Sequence, residues 1–347
     1  MYRGQTVAVV VPAYNEAGFV GGVVDTLPSF VDRAYVVDDC STDSTFEEMQ
    51  RHAAAANTAR RLLVEGDSAG MDGPRGPDDE FVTAIRNPEN RGVGYSITTG
   101  YRRALADGAD VVAVLNGDGQ MDPDVLPRIL DPIVDGRADY AKGNRLRDSP
   151  ERLGMSAWRL FGNWTLTFLT RVSSGYWHVS DSQNGYTAIS RHALETIDLD
   201  GLYERYGFLN DLLTELNVHD LRVADVPHPA RYGGERSGIS YPNFIRTVSL
   251  LLLWNFLYRL KVKYVVPRFH PTVLYYALGG VGVLMGVVVG LAFLSSALGL
   301  GVATVDGWLV LGVLAAGGFF SLLAAVVDAR QSADLEVLVS DLSTGER

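Results

Sequence analysis

Cysteine is all but missing from this chain. Cys40 stands alone, which excludes an intramolecular disulfide framework and a cysteine-built zinc site. Lysine is nearly as rare, with three among 30 basic residues, and 41 acidic residues leave a formal net charge of −11. A polyanion-binding surface over the whole molecule is therefore excluded, and nucleic acid with it as a partner. The six histidines form no ligand-spaced pair; His178, His192, His219 and His228 read as scattered surface or turn residues, and His270 as an interfacial one. Among the acids, 28 are Asp and 13 are Glu. An Asp-rich, Lys-poor surface stays soluble at very high salt and points to a halophilic archaeal source, although a GC-rich genome gives the same bias through arginine codons. The N-terminus enters a strand pattern directly after Arg3, so no cleavable leader is expected and the first two-thirds is placed in the cytosol.

What the chain has instead is a repeated unit. β-Branched or apolar runs at 6–11, 34–37, 81–85 and 110–115 each end in a polar turn, and residues at helical spacing follow. Residues 66–79, rich in Gly, Asp and Pro, read as an exposed loop. Alternating strands and helices predict an α/β fold, a mostly parallel sheet covered by helices on both faces.

The last third changes character. Residues 247–258 are apolar but too short to span a bilayer, and Arg259, Lys261, Lys263 and Arg268 follow; this reads as an interfacial helix flanked by cations, or else as a buried core helix. Residues 273–294 and 308–327 carry no charge, and each run is long enough for a hydrocarbon core of about 30 Å. Their connector holds Asp306 and no Lys or Arg, so the positive-inside rule keeps both ends cytoplasmic. Gly282, Gly286 and Gly290 form a small-residue stripe, which packs either on the second span or on another subunit as a homo-oligomer. The division expected is 1–240 for a catalytic domain, 241–270 for the interfacial region, 271–328 for two transmembrane helices and 329–347 for a cytoplasmic tail.

The polar turn Asn116-Gly117-Asp118-Gly119-Gln120 says most about chemistry. It offers oxygen donors at the carboxyl end of a buried strand, where open α/β sheets bind ligands and where a hard divalent cation finds its preferred atoms. Together, Pro12-Ala13-Tyr14-Asn15-Glu16, Val37-Asp38-Asp39, Asn90-Arg91-Gly92-Val93-Gly94 and Gly117-Asp118-Gly119-Gln120-Met121-Asp122-Pro123 resemble family 2 glycosyltransferases, in order and over about residues 5–240. Within these the chain looks most like the dolichol-phosphate mannose synthase and polyprenyl-phosphate glycosyltransferase branch, many members of which carry a similar membrane hairpin.

The resemblance implies a GT-A fold, a nucleotide-sugar donor and Mg²⁺ or Mn²⁺. It places the metal on Asn116, Asp118 and Gln120, with Asp118 also the catalytic carboxylate; Asn116 stands where the family usually has an Asp, so weaker metal affinity is expected. Pro12, Tyr14, Glu16 and Asp39 match positions lining base and ribose, while helix capping is the plainer role for Glu16 and Asp39. Asn90, Gly92 and Gly94 match a turn that lets backbone approach the donor, and Arg231 an arginine that meets its diphosphate. Gly143-Asn144-Arg145 resembles the branch's Gly-Ser-Arg element, which puts Arg145, with Arg159, on an acceptor lipid phosphate; a surface ion pair is the alternative for each. Asp181-Ser182-Gln183-Asn184-Gly185-Tyr186 resembles a further element of the branch, with turn formation and core packing by Tyr186 as its plainer roles.

Two enzymatic outcomes stay open. A polyprenyl or dolichyl phosphate is already ionised and needs no base, whereas a hydroxyl on a lipid-linked glycan or glycolipid needs one. Asp211 is the candidate base, or else compensates the dipole at a helix N-terminus. The expectation is a membrane-anchored inverting transferase feeding glycan or protein glycosylation, with its catalytic domain on the cytoplasmic face. A non-catalytic nucleotide-sugar-binding membrane protein is a third reading, favoured only by Asn116.

Overall fold

Strand β1 (Val7–Ala13) is buried along its whole length because helices cover both faces of the sheet. Val7, Val9 and Val11 enter one apolar cluster and Ala8 and Val10 the other, as the two-residue period of a strand requires. The computed structural model describes residues 1–67, 80–145, 157–229, 241–300 and 306–339. Its other strands are β2 (Arg33–Asp38), β3 (Val82–Arg86), β4 (Val111–Val114), β5 (Tyr140–Asn144), β6 (Thr187–Ser190), β7 (Val223–Pro227) and β8 (Glu336–Leu338). The helices are α1 (Val20–Asp25), α2 (Thr45–Asp67), α3 (Val93–Ala106), α4 (Leu126–Val134), α5 (Ala157–Ser174), α6 (Arg191–Thr196), α7 (Phe208–Val218), α8 (Tyr241–Arg259), α9 (Thr272–Ala297) and α10 (Gly307–Ser332).

The sheet runs β3-β2-β1-β4-β6-β5-β7-β8, with every neighbour parallel except β6, which is antiparallel to both β4 and β5. Helices α1, α2 and α4 supply one apolar cluster; α3, α6 and α7 supply the other. This is the expected α/β architecture. Chain order reverses between β1 and β4: β2 and β3 lie to one side of β1, and β4 returns on the other. Such a switch leaves a crevice at the carboxyl ends of the two strands. Residues 68–79 of the expected loop lie outside the described residues.

The apolar C-terminal segments form a hairpin of two helices long and apolar enough to cross a membrane. Their contact is made by glycine. A Cβ on Gly282 would lie 2.6 Å from Cα of Gly317, and one on Gly279 2.7 Å from N of Ser321. The small-residue stripe is thus spent inside the hairpin.

A buried polar hub fastens this hairpin to the sheet domain. Arg259, at the end of α8, is fully buried; it donates Nη1 and Nη2 to Asp328 of α10 at 2.8 Å each and further N–H groups to the carbonyls of Ser173 and Val172 at the end of α5. Tyr264, Tyr276 and Trp177 also donate to the Asp328 carboxylate. Beyond α10 the chain returns to the sheet, where β8 lies parallel to β7 and Glu336 accepts the N–H groups of Trp177 and His178. Arg259 and Lys263 are expected among the cations that flank an interfacial helix, or at the end of a buried core helix. Arg259 turns inward instead, and Lys263 bonds the carbonyl of Asn217 at 2.9 Å. Lys261 and Arg268 remain exposed.

Candidate active site

At the switch point the first and fourth strands are stitched together. Gly117 donates its N–H to the Pro12 carbonyl at 3.2 Å, and a Cβ there would lie 3.1 Å from both that oxygen and Cβ of Ala13. A side chain there would push the 116–120 turn a few tenths of an ångström away from β1. Asp118 then accepts Gln120 N–H at 3.0 Å across Gly119, whose φ is +69°. Asn116, Asp118 and Gln120 are all half-buried, beside buried Pro12 and exposed Tyr14. Their oxygens suit a hard cation, but no group of three His, Cys, Asp or Glu among the described residues could hold one. One carboxylate and two amides could hold a hard divalent cation only together with further oxygen donors.

Asp39 works inward. It is 3 % exposed, and its carboxylate accepts Asn87 Nδ2 at 3.0 Å, Arg91 N–H at 3.2 Å and Gly92 N–H at 2.6 Å. It therefore shapes the 87–92 turn. Asn90 is exposed, and its carbonyl accepts Arg205 Nη2 at 3.4 Å. Glu16 donates its N–H to Thr45 Oγ1 at 2.8 Å and sits half-buried; the role of capping α1 falls to Glu48, which takes the N–H groups of Gly18 and Gly21.

The glycines of the 90–94 turn admit protein. Cβ atoms on Gly92 and Gly94 would lie 2.7 Å from the Glu204 carbonyl oxygen and 2.5 Å from that of Tyr203. Gly94→Ala is therefore expected to displace the 203–204 backbone and cost about 1–3 kcal/mol by overpacking, read as a lowered unfolding midpoint.

Asp211, in the first turn of α7, accepts Tyr203 N–H at 2.7 Å. Burial pushes its carboxyl above the usual carboxylate value, and that hydrogen bond pulls only partly back. Arg145 follows β5 and is paired with Asp181. Asn184 and Gly185 join this corner to the switch point. Gly185 approaches Asn116, a Cβ there lying 3.0 Å from its Oδ1, while Asn184 Nδ2 donates to His228 Nε2 at 2.9 Å. Tyr186 is buried and donates its hydroxyl to the Asp122 carbonyl at 2.9 Å.

Residues 8–198, more than half of the chain, match the family described as Glycosyl transferase family 2. The chain belongs to glycosyl transferase family 2. Over 220 residues, 63 % of this chain and 83 % of the relative, the transferase is 29 % identical to UDP-N-acetylglucosamine–dolichyl-phosphate N-acetylglucosaminyltransferase of Methanococcus voltae. It is 26 % identical over 226 residues, 64 % of this chain and 82 % of the other, to undecaprenyl-phosphate mannosyltransferase of Micrococcus luteus. In fold it is similar to glucosyl-3-phosphoglycerate synthase of Mycobacterium tuberculosis, in a crystal structure with uridine diphosphate, at a TM-score of 0.51 and 20 % identity, covering 73 % of this chain and 80 % of that one. The resemblance read from four motifs and the GT-A fold it implied are both borne out.

The transferase brings Pro12, Tyr14, Asn116, Asp118 and Gln120 together at the switch point, with Asp39 and Gly92 joined beside them. Arg231 lies outside the described residues. Arg159 belongs to α5, and its side chain lies outside them too. Sequence reasoning missed Lys142, Asp225 and Asp181 as a buried charged cluster behind Arg145. A lone lysine in the middle of a buried strand was the signal. His228, read as scattered, is buried against Gly143.

Proposed function

We propose that this family 2 transferase moves one sugar from a GDP-mannose- or UDP-glucose-type donor to a polyprenyl or dolichyl phosphate, with inversion, at the cytoplasmic face of a membrane. The observation that carries the reading is the oxygen-donor turn at the β1/β4 crevice in a chain whose α8 and hairpin expose an unpartnered apolar surface. On α8, Leu250, Leu253, Trp254 and Leu257 face outward, Trp254 at 69 % exposure, while Val248 and Leu252 pack inward. A helix apolar on its outer face as well belongs in a lipid interface. The names of the two relatives point to the same acceptor class.

In this reading Pro12, Tyr14 and Glu16 line the nucleoside, Asp39 holds the turn of Asn90 and Gly92 against it, and Arg231 meets the diphosphate. Asn116, Asp118 and Gln120 would hold Mg²⁺ or Mn²⁺, which when bound supplies Lewis-acid stabilisation of the leaving diphosphate. Arg145 and Arg159 receive the lipid phosphate. One of its oxygens attacks the anomeric carbon as the bond to the nucleotide phosphate breaks, and a single in-line displacement inverts the centre. The catalytic domain covers 1–240 together with β8, which enters its sheet from the segment 329–347 expected as a tail; the interfacial region is 241–270 and the two spans 271–328. The test is to incubate the full chain with radiolabelled nucleotide sugars, short polyprenyl phosphates and Mg²⁺ or Mn²⁺. A labelled lipid phosphate is the expected product; label only in water-soluble sugar sinks the reading.

A hydroxyl acceptor would need Asp211 as base, and that carboxylate is already tied to Tyr203 N–H. Asp211→Asn keeps an acceptor for this bond. Transfer to a lipid phosphate is expected to stay within about threefold of normal, whereas a lost base would cost on the order of a hundredfold or more. The raised carboxyl also fixes the sign of a pH effect. Its contribution to stability is full below the ordinary carboxylate pKa of about 3.9 and is lost as pH rises through the folded value. At neutral pH the buried charge is a cost, so Asp211→Asn is expected to melt no lower than the parent.

A further inference from the structure

The Arg145 guanidinium is held from behind. Asp181 accepts Arg145 Nε at 2.9 Å, Nη2 at 3.0 Å and the Arg145 backbone N–H at 3.0 Å. Asp181 is 6 % exposed while the Arg145 side chain is 34 % exposed, so the carboxylate lies inside and the guanidinium reaches outward. The backbone of Asp181 has a φ of +47°, a left-handed conformation that Asp tolerates better than most residues. Its carbonyl accepts Lys142 Nζ at 2.8 Å and Asn184 N–H at 2.9 Å. Lys142 in turn sits 3.5 Å from Asp225, which also accepts Asn144 Nδ2 at 2.6 Å. Both the carbonyl and the carboxylate of Asp181 are thereby fixed to strand β5 and the residue that follows it.

We propose that Asp181 is a positioning residue of the acceptor subsite, gripping Arg145 by its Nε/Nη2 edge and so aiming the guanidinium at the phosphate of the lipid acceptor. The inference rests on the lipid-phosphate role of Arg145 given above. A free arginine carries about 2 kcal/mol of rotamer entropy, and a bidentate carboxylate removes it before the ligand arrives while fixing the plane of the fork. Displacement of Asp181 by the incoming phosphate does not fit the geometry, because the same carboxylate is tied to the backbone N–H of residue 145 and buried. Burial pushes the Asp181 carboxyl up, yet the hydrogen bonds and charge of Arg145, aided by Lys142, outweigh it and hold it below the ordinary range. The grip is therefore ionic throughout the neutral range and is lost only as pH falls through that lowered value.

The test measures binding of a short-chain polyprenyl phosphate, and of the matching polyprenol, to the detergent-solubilised full chain. Asp181→Asn is expected to weaken polyprenyl phosphate binding roughly tenfold and leave polyprenol binding unchanged, which reports an intact fold. Arg145→Lys keeps the charge but cannot be held by two edges, so the same loss is expected; this variant carries the test if Asp181→Asn does not fold. In an Arg145→Ala background, Asp181→Asn should add nothing. Full-strength binding by Asp181→Asn or Arg145→Lys, with Arg145→Ala impaired, overturns the positioning role, as does an additive loss in the double variant. Full-strength binding by Arg145→Ala overturns the phosphate role of Arg145 itself, and the inference with it.

Discussion

Asp118→Asn is expected to lower sugar transfer on the order of a thousandfold, the scale on which one preorganised charge-stabilising group acts at a leaving group. The substitution keeps an oxygen for Gln120 N–H, the bond that closes the turn across Gly119, so fold and donor entry should survive. What disappears is the one negative charge among Asn116, Asp118 and Gln120. Three amides would then face the cation, and charge developing on the departing diphosphate would go unbalanced. Initial rates over a manganese titration check this, with the unfolding midpoint as control. Asn116→Asp moves the other way: a second carboxylate should shift half-saturation to lower metal concentration. An Asp118→Asn enzyme that turns over normally would remove the metal site from its proposed place.

Arg259→Ala should destabilise the protein by about 3–5 kcal/mol, the cost of leaving a buried carboxylate without its partner. Among the described residues, Asp328 would keep only the donors from Tyr264, Tyr276 and Trp177, all neutral. The carbonyls of Ser173 and Val172 at the end of α5 would lose their guanidinium as well. A fall of about ten degrees in the unfolding midpoint is the expected size, together with faster amide exchange in β8. The paired change Arg259→Met with Asp328→Leu separates charge from packing. Removing both ions should restore much of the loss, because an apolar pair of similar volume carries no desolvation cost. If Arg259→Ala melts like the parent, the hub contributes nothing to the docking of the hairpin.

The parts of this fold that sequence made legible are local ones. Strand-end turns such as 116–120 carry their chemistry within a few residues, so their place on the sheet followed from the apolar runs before them. What could not be read depends on distant pairing. Arg259 and Asp328 each look like a charge at the edge of an apolar run, and only the packing of α8 against α5 and α7, with the hairpin docked beside them, makes them partners. The antiparallel insertion of β6 and the late strand β8 leave no periodic signal, each being four residues or fewer. Gly92 and Gly94 were legible as close-approach positions, but what approaches them is the 203–205 segment. Asp39 was legible as a strand-end carboxylate, but its internal donors come from the 87–92 turn, 48 to 53 residues further along the chain, which no spacing rule reaches.

The parallel pairing of β8 with β7 bears on how the protein is born. Both long apolar helices lie between those two strands in the chain, so the ribosome must deliver the whole hairpin before the sheet receives its last member. Assembly of the sheet is thus completed after the hairpin exists, and a nascent chain stalled ahead of residue 336 would present β7 as a bare edge.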